Sequence, residues 1–206
     1  MNSITHNFQA IVDKQKKMGY YFPSILKRPA DANLIEQTQQ KLNLKFSKDL
    51  IELYLFANGT SRNENPLGMI GLIPIYIFMD LATAENYYLT SIQFKEQFEV
   101  WDTGFMPGGK LFPFLEDSSG NCYWADLNVN TDNYGKIFWT NTYPDSPAYK
   151  FDSLTSMFET IAQAYKRDIF FLDPDKYLDQ DYNKWGLLAK SINPDIKFWD
   201  DYNNGT

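Results

Sequence analysis

The residues best placed to do chemistry are three acidic side chains around a predicted turn. Glu116 and Asp117 precede the turn at 118–121, and Asp126 follows it. Two neighbouring carboxylates can serve as the acid and base of a glycosidase, and carboxylates also bind Mg²⁺. However, an Asp that opens a turn accepts hydrogen bonds from nearby backbone amides, and one near a strand end can cap or pair locally. We therefore favour structural roles for Asp117 and Asp126 over a catalytic pair.

The other reactive residues are few. The chain has one histidine, His6, and one cysteine, Cys122. One Cys and one His cannot fill the tetrahedral shell of a zinc site, and a catalytic triad would require His6 to fold back onto the body. The HExxH, GxSxG and GxxxxGK[ST] motifs are absent. We expect no catalytic residues, no metal and no cofactor.

The net charge of the chain indicates which class of partner it can bind. Nineteen Lys and Arg against 26 Asp and Glu give a net charge of −7 over 206 residues. Residues 1–50 hold eight bases and four acids, whereas residues 51–206 hold 11 bases and 22 acids. An acidic body repels nucleic acid and anionic membranes, and it attracts a basic protein. We therefore predict a protein partner, no direct binding of nucleic acid and no membrane contact.

Three observations favour the cytoplasm as the location of the chain. Because Cys122 is the single cysteine, no disulfide can form within the chain, which fits a reducing compartment. The first 22 residues lack the continuous apolar stretch of a signal peptide. The longest apolar run, at 69–79, is too short to span a bilayer.

Helices are predicted where a capping residue precedes apolar side chains at helical spacing. Asp31 and Ser47 are two such caps, and Asp152 or Ser153 is a third. The predicted helices lie at about 8–17, 32–42, 48–57, 80–98, 154–165 and 179–191. Leu34 is expected on the inner side of the second, and Tyr182 on the apolar face of the last.

Short strands occupy the middle of the chain. The run at 67–78 is β-rich, and strands at 110–117 and 122–127 flank a turn and form a hairpin; a third strand follows at 135–141. Alternation places Cys122, Trp124 and Asp126 on one face of the second hairpin strand. The opposite face is apolar and is expected to meet the helices. Trp124 then lies on the more open face as an interface anchor, or is buried under residues 80–98.

The order of these elements indicates an α+β fold, with a mostly antiparallel sheet packed against helices. The residues also match a known pattern. IEQTQQKLNLKFSKDLIELYLFANG (35–59) and LFPFLEDSSGNCYWADL (111–127) resemble the opening helices and the hairpin of the SUKH superfamily, which includes the Smi/Knr cell-wall synthesis regulators and bacterial immunity proteins. FDSLTSMFETIA (151–162) resembles its closing helix. The resemblance covers about residues 31–167, which leaves an N-terminal extension at 1–30 and an acidic, partly helical C-terminal extension at 168–206.

The resemblance implies a sheet of six strands or a similar number, and a protein that acts by binding rather than by catalysis. It implies an immunity protein that neutralises a cognate toxin, of the nuclease or deaminase type, in a bacterial polymorphic toxin system. The alternative is a regulatory scaffold of the Smi/Knr type with several partners. The acidic and aromatic side chains of the hairpin are the predicted contacts with a basic toxin domain: Glu116, Asp117, Trp124 and Asp126.

Overall fold

A computed structural model describes residues 3–61, 65–97, 110–140 and 147–202 of the chain. The helices are α1 (Ile4–Met18), α2 (Phe22–Ile25), α3 (Ala32–Leu42), α4 (Lys48–Phe56), α5 (Leu81–Gln97), α6 (Leu154–Lys166) and α7 (Tyr182–Ile192). The strands are β1 (Ile77–Phe78), β2 (Leu111–Glu116), β3 (Cys122–Asp126), β4 (Ile137–Thr140), β5 (Ala148–Phe151), β6 (Phe170–Leu172) and β7 (Leu178–Gln180). Two 3₁₀ turns lie at Leu67–Met69 and Lys197–Tyr202.

The helices begin at the side chains that the sequence indicates. Asp31 accepts a hydrogen bond from the backbone N of Leu34 at 2.7 Å. Ser47 starts α4 in the same way. Ser153 starts α6 with a reciprocal pair of bonds to Ser156, each 3.0 Å long. Each cap satisfies an amide that the first turn of a helix leaves without a partner, so the three predicted caps are confirmed. The first and last predicted helices begin elsewhere, α1 at Ile4 instead of residue 8 and α7 at Tyr182 instead of residue 179.

The main sheet is an antiparallel meander in the order β1-β2-β3-β4-β5. The predicted fold class, α+β with a mostly antiparallel sheet, is therefore confirmed. Within the described residues the main sheet has five strands, and β6 pairs with β7 in a separate two-stranded sheet. Most of the β-rich run at 67–78 is not strand, because tight turns occupy it; for example, Leu72 N donates to Tyr76 O at 2.8 Å. Only Ile77–Phe78 pairs in the sheet.

One face of the main sheet packs against the N-terminal and C-terminal helices. Phe8 of α1 is fully buried, and its ring contacts Phe78 of β1 and Phe158 of α6 at centroid distances of 5.9 and 5.1 Å. From α7, Trp185 contacts the ring of Phe151 on β5 at 6.2 Å. Side chains from both predicted extensions thus enter the hydrophobic core that the middle of the chain forms. The boundaries at residues 30 and 168 stay a prediction.

Helix α5 runs beside β2, and its adjacent tyrosines reach opposite faces of the sheet. Tyr88 contacts Phe112 on the inner face at 6.4 Å, and Tyr87 contacts Trp124 on the outer face at 5.6 Å. Register fixes this assignment, because Phe112 pairs with Ala125, and Trp124 alternates with Ala125 along β3. The outer face is therefore covered at least in part.

Two predicted inner positions are wrong. Leu34 is 37% exposed, because the buried stripe of α3 is formed by Ile35, Thr38 and Leu42 instead. Tyr182 is 67% exposed. It is the first residue of α7, where the Cα–Cβ bond tilts toward the N-terminus and carries the side chain past the end of the helix.

Among the described residues, no helix is both long and apolar enough to cross a membrane.

Candidate functional site

The four predicted contact residues lie together on the β2–β3 hairpin, and all of them are buried. Glu116 ends β2, Asp117 opens the turn, and Trp124 and Asp126 belong to β3; their exposed fractions are 6, 4, 1 and 5%. Register places Glu116, Trp124 and Asp126 on the outer face of the sheet, and the alternation along β3 predicted a shared face for Trp124 and Asp126. Whether these residues contact a partner stays a prediction. Their side chains expose little surface for direct contact.

Asp117 holds the hairpin turn closed. One oxygen of its carboxylate accepts from the backbone N of Ser119 at 2.8 Å and from that of Asn121 at 3.1 Å. The other oxygen accepts from the Asn121 side-chain amide. Gly120 completes the turn at a φ of 92°, a value that glycine adopts without strain. The structural role favoured for Asp117 is confirmed.

Trp124 is buried under α5, which is the second of the two alternatives that the sequence left open. Its indole Nε1 donates to Thr140 Oγ1 on β4 at 2.9 Å. Its ring faces that of Tyr87, and the two together cover the middle of the outer face. Burial raises the pKa of the Tyr87 hydroxyl, and the nearby Cys122, Glu116 and Asp117 add to the effect.

Asp126, at the far end of β3, joins the loop after β3 to strand β5. One carboxylate oxygen accepts from the backbone N of Asn128 at 2.8 Å, and the other accepts from the Tyr149 hydroxyl at 2.7 Å. Burial raises the pKa of Tyr149, and the bond to Asp126 raises it further. The side chain thus ties the loop after β3 to strand β5, as the local role predicted for it requires.

Glu116 lines a cavity of about 240 Å³ at the β1 edge of the sheet. Lys27 and Asp80 form an ion pair there, and the hydroxyls of Thr60 and Thr83 are close by. Burial alone would raise the pKa of Asp80, but hydrogen bonds from Lys27 and Thr83 outweigh it, so the pKa lies below its usual value. The cavity is smaller than the roughly 300 Å³ at which small-molecule pockets begin.

The two hairpin aspartates do not form a catalytic carboxylate pair. Asp117 and Asp126 lie at opposite ends of β3, which separates them by about 13 Å at 3.3 Å per residue. Glycosidase carboxylates lie about 5–9.5 Å apart. The Cys122 thiol is fully buried, and burial raises its pKa. Within the described ranges, no group of three His, Cys, Asp or Glu could hold a metal ion.

The sequence reasoning missed an exposed surface outside the hairpin. Phe171 of β6, Asp179 of β7 and Tyr177 just before β7 are exposed to solvent. The signal in the sequence is the alternation of FFLDPDKYLDQ around an Asp-Pro-Asp turn. Each strand is only three residues long, which is too short for a period-two pattern to stand out.

Comparison with known proteins bears on the same elements. The sequence model that describes the SMI1 / KNR4 family (SUKH-1) matches residues 29–160 of this chain. This range contains α3, α4, the whole five-stranded sheet and the first half of α6. Strands β6 and β7 and helix α7 lie beyond it. No curated protein matches the chain.

Proposed function

The chain belongs to the SMI1 / KNR4 family (SUKH-1), and from this premise we propose that it is a non-enzymatic binding protein that neutralises a cognate toxin of a bacterial polymorphic toxin system. The partner is a basic toxin domain of the nuclease or deaminase type. The protein acts in the cytoplasm by occluding that domain, with no chemistry of its own. It binds neither nucleic acid nor membrane.

The proposal rests on one observation: this chain belongs to the family and carries a net negative charge. Residues 51–206 hold 22 acids and 11 bases. An enzyme that acts on nucleic acid carries a basic surface to bind phosphates. An acidic protein approaches such a surface under favourable long-range attraction, which raises the association rate and disfavours other acidic proteins as partners.

The hairpin supports the non-enzymatic part of the proposal. The carboxylates of Asp117 and Asp126 are engaged by backbone amides and by a tyrosine hydroxyl. Two acids line the cavity at the β1 edge of the sheet: Asp80, which is paired with Lys27, and Glu116. The bonds of Asp117, Asp126 and Asp80 hold the fold together, which favours a structural role for these carboxylates over a catalytic one.

The four predicted contact residues enter the proposal with an indirect role. Because Glu116, Asp117, Trp124 and Asp126 are nearly covered, they act on a partner by fixing the shape of the hairpin. If the change of Asp117 to Asn lowers binding by more than it lowers the folded fraction of the protein, the residues contact the partner directly instead. Circular dichroism of the same sample measures the folded fraction.

The test is affinity capture of the tagged full chain from its native host, read by mass spectrometry after washes at low and high salt. An unrelated protein with a net charge near −7 on the same resin is the control for non-specific attraction. We expect one dominant basic protein that the control does not retain and that high salt releases. Several weak partners would favour the regulatory scaffold, and capture of acidic proteins alone would contradict the proposal.

A further inference from the structure

The two-stranded sheet of β6 and β7 has one buried face and one open face. Phe170 and Leu178 point inward and are 1 and 4% exposed. Phe171 and Tyr177 point outward and are 39 and 37% exposed. Register pairs Phe171 directly with Asp179, which is also exposed. The open face therefore presents an aromatic ring and a carboxylate side by side, a combination that neither the family match nor the hairpin site accounts for.

The open face is held rigidly by its turn. One carboxylate oxygen of Asp173 accepts from the backbone N of Asp175 at 2.9 Å and from that of Tyr177 at 2.8 Å. Lys176 adopts a φ of 70°, which closes the turn. The Tyr177 ring lies against Gly68, where a methyl group would come within 2.2 Å of it. A partner that docks here orders little of the chain, so it avoids most of the entropic cost of binding.

A depression of about 250 Å³ adjoins the open face. Phe171 lines it together with Met18 of α1 and Leu172 of β6. Lys176 also lines it, as does Asp168, which is paired with Lys14 at 2.7 Å. The volume is of the order of one or two large side chains, so the depression has room for an apolar anchor of a partner beside the exposed Phe171 ring.

The charge around the open face is negative. Residues 168–184 hold five Asp and two Lys. Two of the Asp are neutralised by ion pairs, Asp168 with Lys14 and Asp181 with Lys184 at 2.8 Å. No ion pair within the described residues offsets the charges that remain, which are Asp173, Asp175, Asp179 and Lys176. A cationic group is therefore favoured at this face and an anionic one is repelled.

We infer that the open face of β6 and β7 docks an arginine-bearing segment of a basic protein, with the guanidinium stacked on Phe171 and paired with Asp179. The inference rests on the proposed function for the identity of that protein. A guanidinium is planar, stacks on aromatic rings and forms forked hydrogen bonds with carboxylates. The backbone N of Gln180 donates to Asp179 Oδ1 at 2.7 Å, which orients the carboxylate. Lysine lacks both the plane and the fork.

The test is a titration of the ¹⁵N-labelled full chain with the peptide acetyl-Arg₄-amide, followed by NMR at low salt. We expect chemical-shift changes confined to residues 168–181, and acetyl-Lys₄-amide to bind about threefold more weakly because it loses the stacking contribution. F171A and D179N should each weaken Arg₄ binding by about threefold or more. Shifts centred elsewhere, or equal affinity for the two peptides, would overturn the inference.

A second exposed aromatic and acid in the chain provide the matched control. Tyr134 is 41% exposed and Asp132 lies in the same turn after β3. The variants Y134A and D132N likewise remove an aromatic ring and a negative charge, and they should leave Arg₄ binding unchanged. All four changed side chains are exposed, so the variants are expected to fold. Control variants that weaken binding as much as F171A and D179N would show that only net charge matters, and would overturn the inference.

Failure of this inference and failure of the proposed function are distinguishable. If the F171A/D179N double variant captures the basic partner as well as the wild type does, the docking face is wrong and the proposed function stands. If the wild type captures no basic partner, the proposed function is wrong, whatever the peptide shows. A partner that the wild type captures and the double variant loses supports both.

Discussion

Replacement of Asp117 by Ala tests whether the hairpin depends on a buried carboxylate. The substitution removes an acceptor of three hydrogen bonds from Ser119 and Asn121, in a site that is 4% exposed. Hydrogen bonds to a charged group contribute about 1.5–3 kcal/mol each, and buried donors that lose their partner carry a desolvation cost. Because the three bonds act on one turn, they are not additive, and we expect a loss of about 3–4 kcal/mol in the free energy of unfolding.

Asp117→Asn is the matched control for that substitution. Its amide oxygen can still accept from the two backbone amides, so only the charge and the bond to the Asn121 side chain are lost. We expect a loss of about 1–2 kcal/mol. Urea unfolding followed by tryptophan fluorescence measures both variants, with the m-value unchanged. An Asp117→Ala variant within about 0.5 kcal/mol of the wild type, or no difference between the two variants, would refute this reasoning.

Three further predictions follow from single contacts. Gly59→Ala should unfold at a clearly lower urea concentration than Gly19→Ala. Both glycines have a φ of 70°, but only at Gly59 would the new methyl group meet backbone, 2.2 Å from the Asp80 N. Equal urea midpoints for the two variants would contradict this. The depressed pKa of Asp80 means that the stability it contributes is present above its ordinary value of 3.8 and is lost as the pH falls through the lower folded pKa. Lys27→Met should therefore flatten the fall in thermal midpoint between about pH 5 and pH 2, and an unchanged slope would count against the Lys27–Asp80 pair. Cys122, fully buried with a raised pKa, should react with a thiol reagent only at the rate of unfolding, and rapid labelling in native buffer would be the contrary result.

The sequence predicted the helices and the central hairpin because local signals specify them. A capping side chain such as Asp31 or Ser153 bonds to an amide three residues later, so the start of a helix can be recognised within a few residues. The turn between β2 and β3 is equally local, since Asp117 bonds to residues two and four positions away. These elements need no knowledge of the rest of the chain.

What lies over the sheet could not be predicted in the same way. Alternation correctly assigned Trp124 to the outer face, but its burial depends on Tyr87, which is far away in the sequence. The β6–β7 sheet escaped prediction because its strands are three residues long and it packs against an element that is distant in the sequence, as the contact of Tyr177 with Gly68 shows. The open face beside that sheet is consequently a feature that only the three-dimensional structure shows.

Growth of cells that express the captured basic protein, with and without this chain, tests the central claim most directly. Expression of the captured protein alone should arrest growth, and co-expression of the chain should restore it. The restoration should be lost in a chain that carries F171A and D179N if the open face of β6 and β7 is the contact. A captured protein that is not toxic, or a toxicity that the wild-type chain leaves unchanged, would contradict the account.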